Sequence, residues 1–174
     1  MKKIALIYWP KKGNTEKIAV RIHEKLKEHS DLFTIKAISS EEFDKYDAFI
    51  IGAPTTGADN WEHAHKNLWI DFFMRISNAG IKGKHYAVFG LGDQVRYPYH
   101  FVDGMIEIRK EFDKNGAIRV GSWSVEGYDF KESDSIVDGR FVGLALDEDN
   151  EAELSEERIS KWLAEVRKGF GIPR

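Results

Sequence analysis

No cysteine occurs among the 174 residues, which excludes disulfides, thiolate metal sites and cysteine nucleophiles. Neither sign of charge dominates: 26 Lys and Arg against 29 Asp and Glu leave a formal net charge of −3, without the basic face that broad nucleic-acid binding requires. No apolar run approaches the roughly twenty residues of a membrane-spanning helix. The N-terminal "MKKIALIYWP" imitates a secretory leader for a few residues. Its apolar part is short, it runs into Trp-Pro, and no small-residue cleavage site follows. The segment therefore reads as a first strand, and the chain as a cytoplasmic protein outside the membrane. Linkers, repeats and low-complexity stretches are also missing, so 1–174 reads as one domain, long enough to bury a core with its 42% apolar residues. A general acid–base pair or nucleophile set is lacking too. Ser122, Ser124 and Asp129 lie near one another, but such residues are usual in turns and caps.

What is present alternates. "KIALIY" (3–8) is a continuous apolar run, as in a strand buried on both faces. Ile18, Ile22 and Leu26 recur every fourth residue in the next segment and predict an amphipathic helix. "LFTIKAI" (32–38) reads as a second strand, and Ser39 with Glu42 has the spacing of a capping box for a short helix. "AFIIGA" (48–53) is a third strand, Leu68, Trp69, Phe72, Phe73 and Ile76 mark a helix, and "HYAVFGL" (85–91) is a fourth strand. Val102, Met105, Ile108 and Phe112 predict a helix stopped at Asn115-Gly116. "AIRVGSWS" (117–124) and "FVGLAL" (141–146) are strand-like across a polar stretch. Ile159, Trp162, Leu163 and Val166 mark the last helix, with Glu156 and Glu157 expected in its first turn. This alternation predicts an α/β, doubly wound fold: a parallel sheet with helices on both faces.

In such sheets ligands lie beyond the C-terminal ends of the strands. Three strand-end segments look unlike plain turns: "YWPKKGNT" (8–15), "APTTGADNWEHAH" (53–65) and "GLGDQVRYPYHF" (90–101). In the first, Gly13-Asn14-Thr15 is placed to meet an anion at a helix start. Taken alone, the loop reads equally as an anion cradle and as an ordinary turn with solvated lysines.

Together with "GSWSVEGYDF" and "VDGRFVGLALDEDN", these loops resemble the flavodoxins of the long-chain group over essentially the whole chain. Flavodoxin with its FMN is itself a standard illustration of the strand-end rule, so that placement belongs to the resemblance. The resemblance implies a five-stranded parallel sheet whose fifth strand is split by the insertion between Ser124 and Phe141. It implies non-covalent FMN, one-electron transfer at low potential rather than catalysis, and a monomer that meets redox partner proteins such as a flavodoxin/ferredoxin reductase or an oxidoreductase. It implies three ligand loops. The phosphate loop, usually hydroxyl–x–Thr–Gly–x–Thr in the family, falls on Pro10, Lys11, Lys12, Gly13, Asn14 and Thr15. Pro10 removes a hydroxyl and an N–H from that pattern, and Lys12 adds a counter-charge. The second loop falls on Thr55, Thr56 and Gly57, where glycine suits a peptide flip and Thr56 is a poor stacking surface. The third falls on Leu91, Gly92 and Asp93, with Tyr97 as the coplanar stacking ring and His100 and Phe101 beside it. Arg96 and His100 place added cations at this rim.

Two alternatives stay open at this point. One is a fold relative that has lost FMN and holds another ligand, a metal or a partner, with Glu62, His63, His65 and His100 as the metal donors. The other is a flavin reductase, which needs a substrate cavity where Tyr97 is expected to stack.

Overall fold

The computed structural model describes residues 3–53 and 66–173. In chain order the elements are β1 (Ile4–Tyr8), α1 (Asn14–Lys25), β2 (Ser30–Thr34), α2 (Ser40–Phe43), β3 (Ala48–Ala53) and α3 (Lys66–Ser77). Then come β4 (His85–Leu91), α4 (Gly104–Lys114), β5 (Ile118–Arg119), β6 (Trp123–Ser124), β7 (Ile136–Val137), β8 (Arg140–Phe141), β9 (Leu144–Leu146) and α5 (Ala152–Phe170). The main sheet is parallel in the order β2-β1-β3-β4, and its next position is shared. β5 pairs with β4 at His85 and Tyr86, and β9 pairs with it at Phe89–Leu91. Between them, β6, β8 and β7 form a small antiparallel sheet. The fifth strand is split, as expected.

Period-two alternation sorts the strand side chains onto two faces. Ala5, Ile7, Phe49, Ile51, Tyr86 and Val88 pack with Trp69, Phe72, Met105, Ile108 and Phe112 from α3 and α4. Ile4, Leu6, Ile50, Ala87, Phe89 and Leu91 pack with Ile18 and Ile22 of α1 and Ile159, Trp162 and Val166 of α5. Helices thus cover both faces, and every strand of the centre is an unbroken apolar run because neither face meets water.

Four boundaries differ from the sequence reading, each for a local reason. β2 covers Ser30–Thr34 rather than 32–38. Its partner β1 ends at Tyr8, the last rung is the Ile35 N–H to Tyr8 C=O bond (3.1 Å), and Ala37 then bonds back to Thr34 in a turn. Ile35 and Ile38 are still buried, so their apolarity reports burial and not strand. Val102 precedes α4 with φ 52, and the helix begins at Gly104. Residues 117–124 and 141–146 each divide between the two sheets. Gly121 (φ 76) turns the chain out of the main sheet, and the Trp162 indole donates to its C=O at 2.8 Å. At Gly143 an added Cβ would lie 2.0 Å from the Val88 carbonyl oxygen, so only glycine lets the chain approach β4 there. Last, α5 starts at Ala152, its first-turn acid is Glu153, and Glu156 and Glu157 lie a turn later. Glu156 pairs with Arg21 (2.9 Å) and Lys25, and Glu157 with Lys161 (2.5 Å). The capping box forms as expected, with Ser39 and Glu42 bonding each other's backbone.

Candidate functional site

The C-terminal ends of β1, β3 and β4 point the same way, and the described segments that follow β1 and β4 lie at that end of the sheet. After β1 the chain passes through Trp9-Pro10, a cis peptide bond, to Lys12 at φ 60. The left-handed conformation is costly for a residue with a Cβ. It sets Gly13, extended at φ −158, as the N-cap of α1. As a glycine it supplies no side-chain cap, and the first intrahelical bond is Lys17 N–H to Gly13 C=O at 3.1 Å. The N–H groups of the first turn therefore face outward with the positive end of the helix dipole. An added Cβ at Gly13 would meet no atom within 4 Å, so the space in front of the helix is open.

Charge around this opening is unevenly committed. Lys17 and Arg21 of α1 both reach Glu148 at 3.3 Å, and Arg21 and Lys25 reach Glu156. Lys11 and Lys12 are exposed and enter no ion pair among the described residues. Pro10 is partly buried and contributes no donor. Thr15 is buried, and its hydroxyl donates to the Ala53 C=O at the end of β3 at 3.4 Å. This bond ties the loop to the neighbouring strand. Glu16 accepts from the Tyr8 hydroxyl at 2.7 Å; burial, then this bond and the carboxylate's charge, push the phenol up to about 12.

The third segment leaves β4 through Leu91, a buried strand residue, and Gly92, whose N–H is committed to the Leu146 C=O at 2.9 Å. Asp93 Oδ1 accepts from the Val95 N–H (3.0 Å), the Arg96 N–H (2.8 Å) and the Asn150 side chain (2.9 Å). Burial raises this carboxyl, and these donors together with the Arg96 charge outweigh that and hold it below its ordinary value. The turn brings Tyr97 round half-buried, its N–H on the Asp93 C=O at 2.9 Å, between the exposed side chains of Val95 and Tyr99. His100 is half exposed and bonds Asp103 at 3.0 Å.

Phe101 is fully buried, stacks on Phe130 at 5.4 Å and also meets Tyr128 and Phe141. The second segment, with Thr55, Thr56 and Gly57 and the residues Trp61, Glu62, His63 and His65, lies outside the described residues. Among the described residues no group of three His, Asp or Glu side chains is placed to hold a metal.

A fourth segment joins the rim that sequence reasoning did not include. Asp147, directly after β9, is fully buried. Its carboxylate accepts from the Gln94 N–H (3.1 Å) and side chain (3.0 Å), from the Asp149 and Asn150 N–H groups (3.2 and 3.0 Å), and from the Asn150 amide. Gln94 is buried as well; its amide also donates to Glu151 (3.0 Å) and accepts the Asp129 N–H (2.5 Å) from the insertion. Glu148, on the same turn, pairs with Lys17 and Arg21 of α1 at 3.3 Å. One turn thus links α1, the loop after β4 and the insertion. The available signal was the pattern Asp-x-Asp-Asn following a wholly apolar strand, which is an Asx-turn spacing.

The model of the Flavodoxin family matches residues 6–162. A flavodoxin of Trichodesmium erythraeum is 38% identical over 99% of this chain and all of its own length. One from Klebsiella pneumoniae is 36% identical, covering 97% of this chain and 98% of its own. Among solved structures, a Fusobacterium nucleatum flavodoxin bound to flavin mononucleotide superposes with a TM-score of 0.86 at 30% identity, over 98% of this chain and 99% of that one.

Proposed function

This chain belongs to the flavodoxin family, and on that premise we propose how its own residues serve an FMN-dependent carrier of single electrons. The family's members are electron-transfer proteins and not enzymes. Bound FMN supplies the redox chemistry, taking up and releasing electrons one at a time. Everything else is the protein's work: gripping the nucleotide, keeping water from it and presenting one edge to partners.

The residues fit such a ligand. The phosphate falls to the open N–H groups at Gly13, Asn14 and Thr15, where a helix start attracts an anion, with Lys11 and Lys12 as counter-charges. Lys12 offsets what Pro10 withholds, since a point-charge ammonium replaces a lost hydrogen bond to an anion. Tyr97 is the outer stacking ring, and Leu91, Gly92 and Asp93 line the edge with backbone groups. The Gly92 N–H is already bonded to Leu146, so the contribution of Gly92 is its carbonyl. The family pattern assigns Thr55, Thr56 and Gly57 to the same ligand. Arg96 adds positive charge at the rim and favours an anionic reduced ligand; His100 beside it bonds Asp103 at 3.0 Å. We read the chain as one domain over 1–174, monomeric and cytoplasmic, since an edge that serves several redox proteins in turn must stay free. No described helix is long and apolar enough to cross a membrane. With a net charge of only −3, long-range steering toward a basic reductase such as a flavodoxin/ferredoxin reductase is weak.

One observation carries the reading: a helix start with glycine as its N-cap, next to two exposed lysines that enter no ion pair among the described residues. Purified protein mixed with FMN is expected to quench its fluorescence at one-to-one stoichiometry, and stepwise dithionite reduction to proceed in two separable one-electron stages. Absence of flavin from the preparation together with no quenching overturns it.

A further inference from the structure

We propose that Asn150, on the turn between β9 and α5, is a positioning residue for the flavin ring. Its side-chain amide clamps the loop after β4 in the shape that presents Tyr97. The inference rests on the reading of that loop as the one that meets the ring. Three contacts of a single nitrogen carry it. Asn150 Nδ2 donates to Asp93 Oδ1 at 2.9 Å, and to the two carboxylate oxygens of Asp147 at 2.9 and 3.1 Å. One amide thus joins two carboxylates from different strand ends, Asp93 just beyond β4 and Asp147 just beyond β9.

The two ends of this clamp differ. Asp147 is the anchored end: it is fully buried and also takes the N–H groups of Gln94, Asp149 and Asn150 at 3.1, 3.2 and 3.0 Å. Asp93 is the end that shapes the loop. The oxygen that meets Asn150 also accepts the Val95 and Arg96 N–H groups at 3.0 and 2.8 Å, closing an Asx turn. The backbone C=O of the same residue accepts the Tyr97 N–H at 2.9 Å, and the Tyr97 C=O accepts the His100 N–H at 3.1 Å. A shift of Asp93 is therefore passed straight to the stacking residue. Two carboxylates within reach of one nitrogen repel each other, and the donor between them is what makes their approach favourable. Without it, Gln94 still ties the loop to Asp147, but the turn at 93–97 is pushed away from its anchor. Asn150 is exposed, so trimming its side chain opens no cavity in the core.

The test compares the wild-type apoprotein with Asn150→Ala and with Asn150→Asp, which keeps the shape of asparagine and replaces its donor by a third carboxylate. Fluorescence quenching at neutral pH gives dissociation constants for FMN and for riboflavin, which shares the ring and lacks the phosphate. Asn150→Ala is expected to weaken both flavins by the same factor, about tenfold, the size of a lost bond to a charged group. Asn150→Asp is expected to lose at least as much, because it adds like charge where a donor is needed. The visible circular dichroism of the bound flavin is expected to weaken in both variants as the ring loses a fixed partner. Affinities unchanged in both variants overturn the proposal, whatever happens to the urea midpoint. So does Asn150→Asp binding like wild type, which would show that shape alone matters at this position. A loss for FMN without an equal loss for riboflavin also overturns it, since the effect then lies at the phosphate. Each of these outcomes leaves the electron-carrier reading standing. A wild-type protein that binds neither flavin overturns both.

Discussion

The Gln94 side chain bonds two separate segments: the turn carrying Asp147 and Glu151, and the insertion through the Asp129 N–H. Replacing it by leucine of similar volume leaves the buried Asp147 carboxylate and the part-buried Asp129 N–H short of partners, at a cost of about 2–4 kcal/mol. Urea unfolding of Gln94→Leu is expected to show that loss in its midpoint, and a change below about 0.5 kcal/mol would refute the assignment of Gln94 as a hub. Nothing in the sequence marks this glutamine over its neighbours. Local pattern separates buried from exposed apolar residues, but a polar residue is buried only when partners from distant segments converge on it, here from positions 35 and 53 further along. Asp147 escaped for the same reason: it stands in an acidic run that reads as solvent-facing. Phe101 is the converse case, an apolar residue in a polar loop whose full burial against Tyr128, Phe130 and Phe141 the local pattern does not show.

Elements were far more legible than these contacts. Helix stripes such as Ile159, Trp162 and Val166 and the buried runs of β1, β3 and β4 carry their period on their face. What the pattern did not show is where a strand changes partners, because β5 to β9 are two or three residues long, shorter than any period can register. Gly143 decides one such place. Alanine there must push the chain away from the Val88 carbonyl, 2.0 Å from the new Cβ, so Gly143→Ala is expected to destabilise by about 3 kcal/mol and to loosen the β4–β9 rungs first. Hydrogen exchange at Leu144–Leu146 is the direct readout: protection retained there at wild-type level contradicts the close approach. The loop after β3 stands apart, since its candidates Thr55, Thr56 and Gly57 fall outside the described residues.

Across the molecule, the phenols set a limit at alkaline pH. Burial first, then bonds to Glu16, Asp31 and Asp113, raise Tyr8, Tyr46 and Tyr86 above the ordinary value near 10; burial, with the charge of Glu151, outweighs Arg158 and Trp123 to raise Tyr128. Tyr8 and Tyr128 reach about 12. The unfolded chain releases these protons near about 10 while the folded chain keeps them, so stability is fully present below that pH and is lost as pH rises toward about 12. The slope is about 1.4 kcal/mol per pH unit for each phenol held neutral. Denaturant midpoints measured from about pH 8 to about pH 11 are expected to fall steeply past about 10, and Tyr86→Phe to flatten the fall. A midpoint independent of pH over that range would show the phenols to be free.

Filling the last place of the main sheet with two fragments has an outcome for life at high concentration. A continuous fifth strand would offer neighbouring molecules a long row of open amides and carbonyls to template on, the usual start of lateral polymerisation. Here that flank is interrupted after two residues at Ile118–Arg119 and resumes for three at Leu144–Leu146, so no second copy finds enough rungs in line to zip against it.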